Sequence, residues 1–111
     1  MTQFDFGAGP VPAHQHPNGG GWVADTAYVS DTAYVGLNAQ VSGTSRVSGS
    51  ARVFGNARVF GQARVFGQAR VYGAAEVYGS AWVSGNALVF GSARVYGNAW
   101  VSGKAWVYGD E

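Results

Sequence analysis

The chain has 111 residues and a formal net charge of +1, a length that suits one domain. It contains no cysteine, which rules out a disulfide frame and thiolate metal sites and leaves the redox compartment undetermined. No run approaches the roughly 18 apolar residues of a membrane span, and the start of the chain lacks a basic stretch followed by an apolar one, so we expect a soluble protein with no signal peptide and no membrane partner, cytoplasmic or carried on a virion.

Residues 1 to 21 stand apart from the rest. The stretch MTQFDFGAGPVPAHQHPNGGG holds all 3 prolines and both histidines and reads as an extended arm or cap followed by a flexible glycine joint. Phe4, Phe6 and Val11 are placed to fold over the first repeat and shield its edge, or else the arm reaches onto a neighbouring subunit. His14 and His16, two apart, would hold a metal only if several chains brought them together, since the chain supplies no third ligand; no metal is expected.

From residue 22 to 111 the chain is a second region with one internal rule. Fifteen valines follow at a strict spacing of six, from Val23, Val29 and Val35 to Val95, Val101 and Val107, without an insertion. Ala stands two residues before almost every valine, with Ser45 taking its place before Val47, and Gly stands two residues after at twelve of them. A helical period of about 3.6 cannot hold valines on one face at this spacing, whereas Ala-x-Val puts both residues on one side of a short strand. Val fits the strand, Ala a tight inner corner, and Gly with a polar residue turns the chain. Three strands and three turns close a triangular coil, and about five coils stack by parallel pairing with a rise of about 4.8 Å each. The fold class predicted is therefore all-β, a solenoid with no room inside for a buried site.

The hexads ARVFGN, ARVFGQ and ARVYGA resemble the bacterial hexapeptide-repeat family, in which an aliphatic residue opens each hexad and a small one follows four later, as with Val53 and Ala57, Val59 and Ala63, or Val89 and Ala93. The resemblance covers residues 22 to 109 and implies a single-stranded left-handed parallel β-helix; handedness comes from it alone, since crossovers between parallel strands are otherwise right-handed. The wording is most similar to short bacterial and bacteriophage proteins with VYGNARVSG-type repeats. The family's acyltransferases use a histidine base and its γ-type carbonic anhydrases three zinc-binding histidines. No histidine follows residue 16 here, and Glu76 is the sole acid between 36 and 109, so we expect no enzyme and no cofactor.

Outward residues carry what remains. The first face shows Trp22, Gln40, Arg58, Glu76 and Arg94 beside Ala24, Ser42, Phe60, Tyr78 and Tyr96. On the second, Tyr28, Arg46, Arg64, Trp82 and Trp100 run beside Ser30, Ser48, Phe66, Ser84 and Ser102, which leaves Trp82 and Trp100 above small neighbours as a shelf for a partner's side chain or a sugar ring. On the third, Tyr34, Arg52, Arg70, Leu88 and Trp106 run beside Gly36, Phe54, Tyr72, Phe90 and Tyr108. Such columns stabilise the sheet as ladders, with arginine stems over the rings, or form an interface too apolar to leave wet. We expect the interface, in a closed homo-oligomer, a trimer or dimer. Its first contact is placed on the third face at Phe54, Tyr72, Phe90, Tyr108, Leu88 and Trp106, with Trp82 and Trp100 as a further surface.

All 7 cations, Arg46, Arg52, Arg58, Arg64, Arg70, Arg94 and Lys104, lie between residues 36 and 109 against Glu76 alone, with the balancing acids at Asp5, Asp25, Asp31, Asp110 and Glu111. Arg46 to Arg70 wrap the prism as a girdle because each hexad moves to the next face. A nucleic-acid groove would collect them on one side, so nucleic acid is not expected. The alternative function is sequestration of an anionic small molecule such as a nucleotide, or of an acidic glycan, at this girdle, with arginine over Phe60 or Tyr72. The expected function is a structural or interaction module, associated with a phage or a bacterial surface particle.

Overall fold

The structure, a computed structural model, describes residues 2–7 and 9–108. Among the described residues, seventeen strands and no helix account for the regular structure. Strands β1 (Gln3–Asp5) and β2 (Pro10–Gln15) form an antiparallel hairpin; every later strand belongs to a hexad. The first face stacks β3 (Trp22–Ala24), β6 (Gln40–Val41), β9 (Arg58–Val59), β12 (Glu76–Val77) and β15 (Arg94–Val95). The second stacks β4 (Tyr28–Val29), β7 (Arg46–Val47), β10 (Arg64–Val65), β13 (Trp82–Val83) and β16 (Trp100–Val101). The third stacks β5 (Tyr34–Val35), β8 (Arg52–Val53), β11 (Arg70–Val71), β14 (Leu88–Val89) and β17 (Trp106–Val107). The molecule is thus a parallel β-solenoid of about five turns, with valine opposite valine throughout, as at Val59 and Val77.

Two-residue strands hold because hexads of the middle coils bond to the coil after them at three points. In one hexad Arg64 N–H donates to the Ala81 carbonyl at 2.9 Å, Phe66 N–H to Val83 at 2.9 Å, and the corner residue Gln68 to Gly85 at 2.8 Å. This pattern satisfies backbone groups that such short strands would otherwise leave bare. The core is one continuous column in which the valines from Val35 to Val89 are wholly excluded from water, with the alanines between them. Burying each valine contributes about 1.5 kcal/mol or more. Ser45 is the polar exception in the repeat core; its hydroxyl donates to the Ser42 carbonyl at 2.7 Å, which meets the cost of burying it.

The corners differ between the first coil and the rest. From Gly43 to Gly103 every corner glycine has a positive φ. Asp25, Asp31 and Leu37 occupy the equivalent first-coil positions, where no residue other than glycine has positive φ, and the hydroxyls of Thr26 and Thr32 donate to the Gly43 and Gly49 carbonyls below.

Of the two forms expected for the N-terminal stretch, arm or cap, the strands take a capping arrangement: β2 of the hairpin pairs antiparallel with β3, Ala13 opposite Ala24 and Gln15 opposite Trp22. The glycines after it are packed, not a hinge: a Cβ on Gly19 would lie 2.2 Å from the Val35 carbonyl oxygen, and one on Gly21 2.3 Å from that of Gly36. This segment donates to first-coil carbonyls that have no earlier coil to meet. His16 Nε2–H reaches the Ala33 carbonyl at 2.9 Å, Asn18 Nδ2 the same oxygen at 3.1 Å, and Gly21 N–H the Val35 carbonyl at 2.9 Å. Asp110 and Glu111, the acids placed at the far end by sequence, lie outside the described residues.

Candidate interaction surface

The residues flanking each valine project outward, and stacking at the strand spacing brings like columns into contact. On the third face Phe54, Tyr72, Phe90 and Tyr108 form a ladder with ring centroids 4.9, 5.3 and 5.4 Å apart and planes within 15° of parallel. Trp106, from the adjoining column, meets Phe90 edge-on at 6.1 Å. A second ladder joins Phe60, Tyr78 and Tyr96 on the first face at 4.8 and 5.4 Å. Offset parallel rings at this separation gain about 0.5–1.5 kcal/mol per pair beyond their area.

Stacking buries the upper rungs more than the lower ones. Phe54, Tyr72, Leu88 and Phe90 are half-buried, whereas Trp106 keeps 64% of its surface exposed and Tyr108 57%. The sequence-expected contact residues of the third face are therefore contiguous, and their exposed part lies at Trp106 and Tyr108. On the second face Trp82 does not stand free above the serines: it lies parallel to Trp100 at 5.0 Å, takes the Arg64 guanidinium at 5.2 Å on its ring, and meets Phe66 edge-on. Trp100, 71% exposed, is the accessible end of this column.

The arginines sit as a girdle and also as pairs. Arg46 is opposite Arg64 on the second face and Arg52 opposite Arg70 on the third, in register on neighbouring strands, while Arg58 lies on the first face between Gln40 and Glu76. Among the described residues the one cation over a ring is Arg64 on Trp82; the stacking expected over Phe60 and Tyr72 is replaced there by ring-on-ring contact. Glu76 pairs with Arg94 at 3.7 Å on an exposed surface, a contact worth little.

The two histidines face different tasks. His14 Nδ1 lies 2.7 Å from the Asp25 carboxylate in solvent, while His16 is buried with its ring nitrogen on the Ala33 carbonyl. Among the described residues no three His, Cys, Asp or Glu side chains converge on a metal site. No helix of the described residues is long and apolar enough to cross a membrane.

Two features were not read from the sequence. One is the capping set, Asn18, Gly21 and His16; the signal available was the need for donors at first-coil carbonyls. The other is a recess of about 450 Å³ between the hairpin and the first face, lined chiefly by Phe6, Val11, Gln40, Ser42, Arg58 and Phe60. Its signal was the step from Phe60 to Ser42 in an otherwise aromatic column.

Comparison with known proteins agrees with this architecture. The family model described as the YdcK beta solenoid repeat matches residues 51–65, 81–95 and 93–109, less than half of the chain, and the chain is similar to that family over those hexads. No curated protein and no solved structure matches it.

Proposed function

We propose that this β-solenoid is a non-enzymatic structural or interaction module that self-associates laterally through its third face. The observation that carries the reading is the continuous apolar patch in which Phe90 touches both Trp106 and Tyr108, the latter two largely exposed. Contiguous aromatic surface of this kind is costly to leave in water and marks a site of association. A closed dimer or trimer suits it, because the hairpin occupies the edge of the first coil and stands in the way of end-to-end growth there. His16 serves the cap and His14 pairs with Asp25, so neither is offered as a general base. Left-handed winding and a place on a phage or bacterial surface particle belong to the same reading and rest on the wording of the hexads.

Sedimentation of the chain at micromolar concentration tests this. A dimer or trimer is expected, with Trp106→Lys dissociating it while leaving the far-ultraviolet spectrum intact. A monomer at that concentration, or continuous fibres in the electron microscope, overturns the closed assembly.

A second reading draws on the in-register pairs Arg46 with Arg64 and Arg52 with Arg70. Like charges directly opposite across strands are destabilising, and a bound nucleotide or acidic glycan would relieve them. Charge reversal at Arg64 or Arg70 that abolishes nucleotide retention while assembly survives is the outcome that favours it.

A further inference from the structure

The first-face ladder stops at Phe60, with the small residues Ser42 and Ala24 in the two positions before it. Phe60, Tyr78 and Tyr96 stack with planes 3° and 13° from parallel, and the next position in the same column is Ser42, whose side chain leaves the upper face of Phe60 uncovered by any rung. Beyond this gap the hairpin extends the edge of the same sheet, and its Phe6 and Val11 line the recess. Phe6 is held edge-on to Phe4 at 4.7 Å, and Phe4 stacks on Trp22 at 4.9 Å, so the upper wall is itself fixed by aromatic packing. The corner beside the gap is formed by Gly43 and Gly61, which add no side chain to fill it. The open face of Phe60 and the hairpin side chains therefore line one recess of about 450 Å³, a volume in the range of small-molecule sites.

Its polar groups are few and lie to one side. Gln40 and Arg58 occupy neighbouring rungs of the adjoining column and both line the recess. Glu76, in register with Arg58 on the other side, has its ion-pair contact with Arg94, and among the described residues no carboxylate lies within ion-pair distance of Arg58. The recess thus combines the open face of Phe60, an apolar wall from Phe6 and Val11, and a guanidinium without an ion-pair partner, with an amide beside it.

We propose that this recess binds a planar aromatic carboxylate of one or two rings. The ring completes the ladder on Phe60 over Ser42, and the carboxylate accepts from Arg58 and Gln40. The site narrows the anion-binding reading to one arginine of the girdle, Arg58, and rests on it: it lies on the first face, away from the Trp106 patch, and none of Arg46, Arg52, Arg64 or Arg70 lines it.

Titration of the full chain with naphthoate, followed by protein-detected nuclear magnetic resonance, tests the proposal. Saturable binding at one site is expected, with shifts centred on Ser42, Phe60 and Phe6. Arg58→Gln should weaken it about tenfold or more, the loss of one charge-assisted hydrogen bond. Ser42→Phe supplies the missing rung from the chain itself and should abolish binding while the protein stays folded with an unchanged or raised melting temperature. Arg64→Gln should bind as the parent does, and sedimentation should be unchanged in both the Arg58 and Ser42 variants, which separates this site from the association surface. Absence of saturable binding at millimolar naphthoate overturns the proposal, as does undiminished binding to Ser42→Phe. Equal affinity for uncharged naphthylmethanol overturns the role of Arg58.

Discussion

Gly61 and Gly97 adopt nearly the same left-handed conformation, with φ of +69° and +67°, yet their surroundings differ. A Cβ on Gly61 would lie 3.0 Å from Gly79 N and 3.2 Å from its carbonyl oxygen in the coil below; one on Gly97 would meet nothing within 4 Å. The backbone penalty for a side chain at positive φ, about 1–2 kcal/mol, is common to both positions. Any excess at Gly61 measures how closely the corners stack. We expect Gly61→Ala to cost about 1 kcal/mol more than Gly97→Ala, because rigid backbone rather than a movable side chain stands in the way. Thermal melting of the two variants checks this; equal losses would mean that the corners separate freely and that conformation alone selects glycine. At this scale the sequence is informative: glycine at one phase of the repeat marks the corners, and Ala or Val at the others marks what is buried. Ser45 is the instance where residue type alone says too little, since its place is explained only by the hydrogen bond to Ser42.

At the level of elements, the repeat strands were legible and the hairpin was not. Ala-x-Val with a fixed spacing sets each strand, its inward face and its neighbour three hexads on, so the register of all three faces follows from counting. Pro10, Pro12 and the glycines, by contrast, argue locally against a strand. They are tolerated because β2 needs only some of its donors: the Pro12 carbonyl accepts from Asp25 N–H at 2.9 Å, and Ala13 N–H donates to Thr2 at 3.0 Å. The hairpin's reason for being is supplied by β3 and the first coil, partners that a local reading of residues 1 to 21 does not include. A double-mutant cycle tests the cap. Because His16 and Asn18 donate to the same Ala33 oxygen, either alone leaves that carbonyl satisfied, whereas removing both orphans it. His16→Ala and Asn18→Ala should each cost about 1 kcal/mol or less from the lost hydrogen bond, and the double variant more than their sum, by about 1 kcal/mol. Denaturant midpoints give the coupling directly, and strictly additive losses would show that water replaces both donors.

Across the whole molecule, the direction of the hydrogen bonds sets a gradient of stability. Backbone N–H groups in each coil donate to carbonyls of the coil that follows, so an amide is protected only where another coil lies beyond it. In a solenoid whose coils contact only their neighbours, protection therefore falls along the axis rather than from centre to surface. Arg64, Phe66, Arg70 and Tyr72 have such acceptors; among the described residues Trp100, Ser102 and Trp106 have none, and Ala99 and Ala105 bond only within their own turns. Hydrogen exchange should accordingly be slow at Arg64 through Tyr72 and fast at Trp100 and Trp106. The same measurement bears on how copies meet. Association through the third face buries the side chains of Trp106 and Tyr108 but leaves these axis-directed amides facing water, so they should still exchange quickly in the assembled protein while the tryptophan ring becomes shielded from quenchers. Stacking of solenoids end to end would do the reverse: it would pair the Trp100 and Trp106 amides with a second copy's carbonyls and slow their exchange in proportion to concentration. Concentration-independent fast exchange, together with concentration-dependent shielding of Trp106, is the expected pattern; slow exchange at both amides in the assembled state would replace the lateral contact with an axial one.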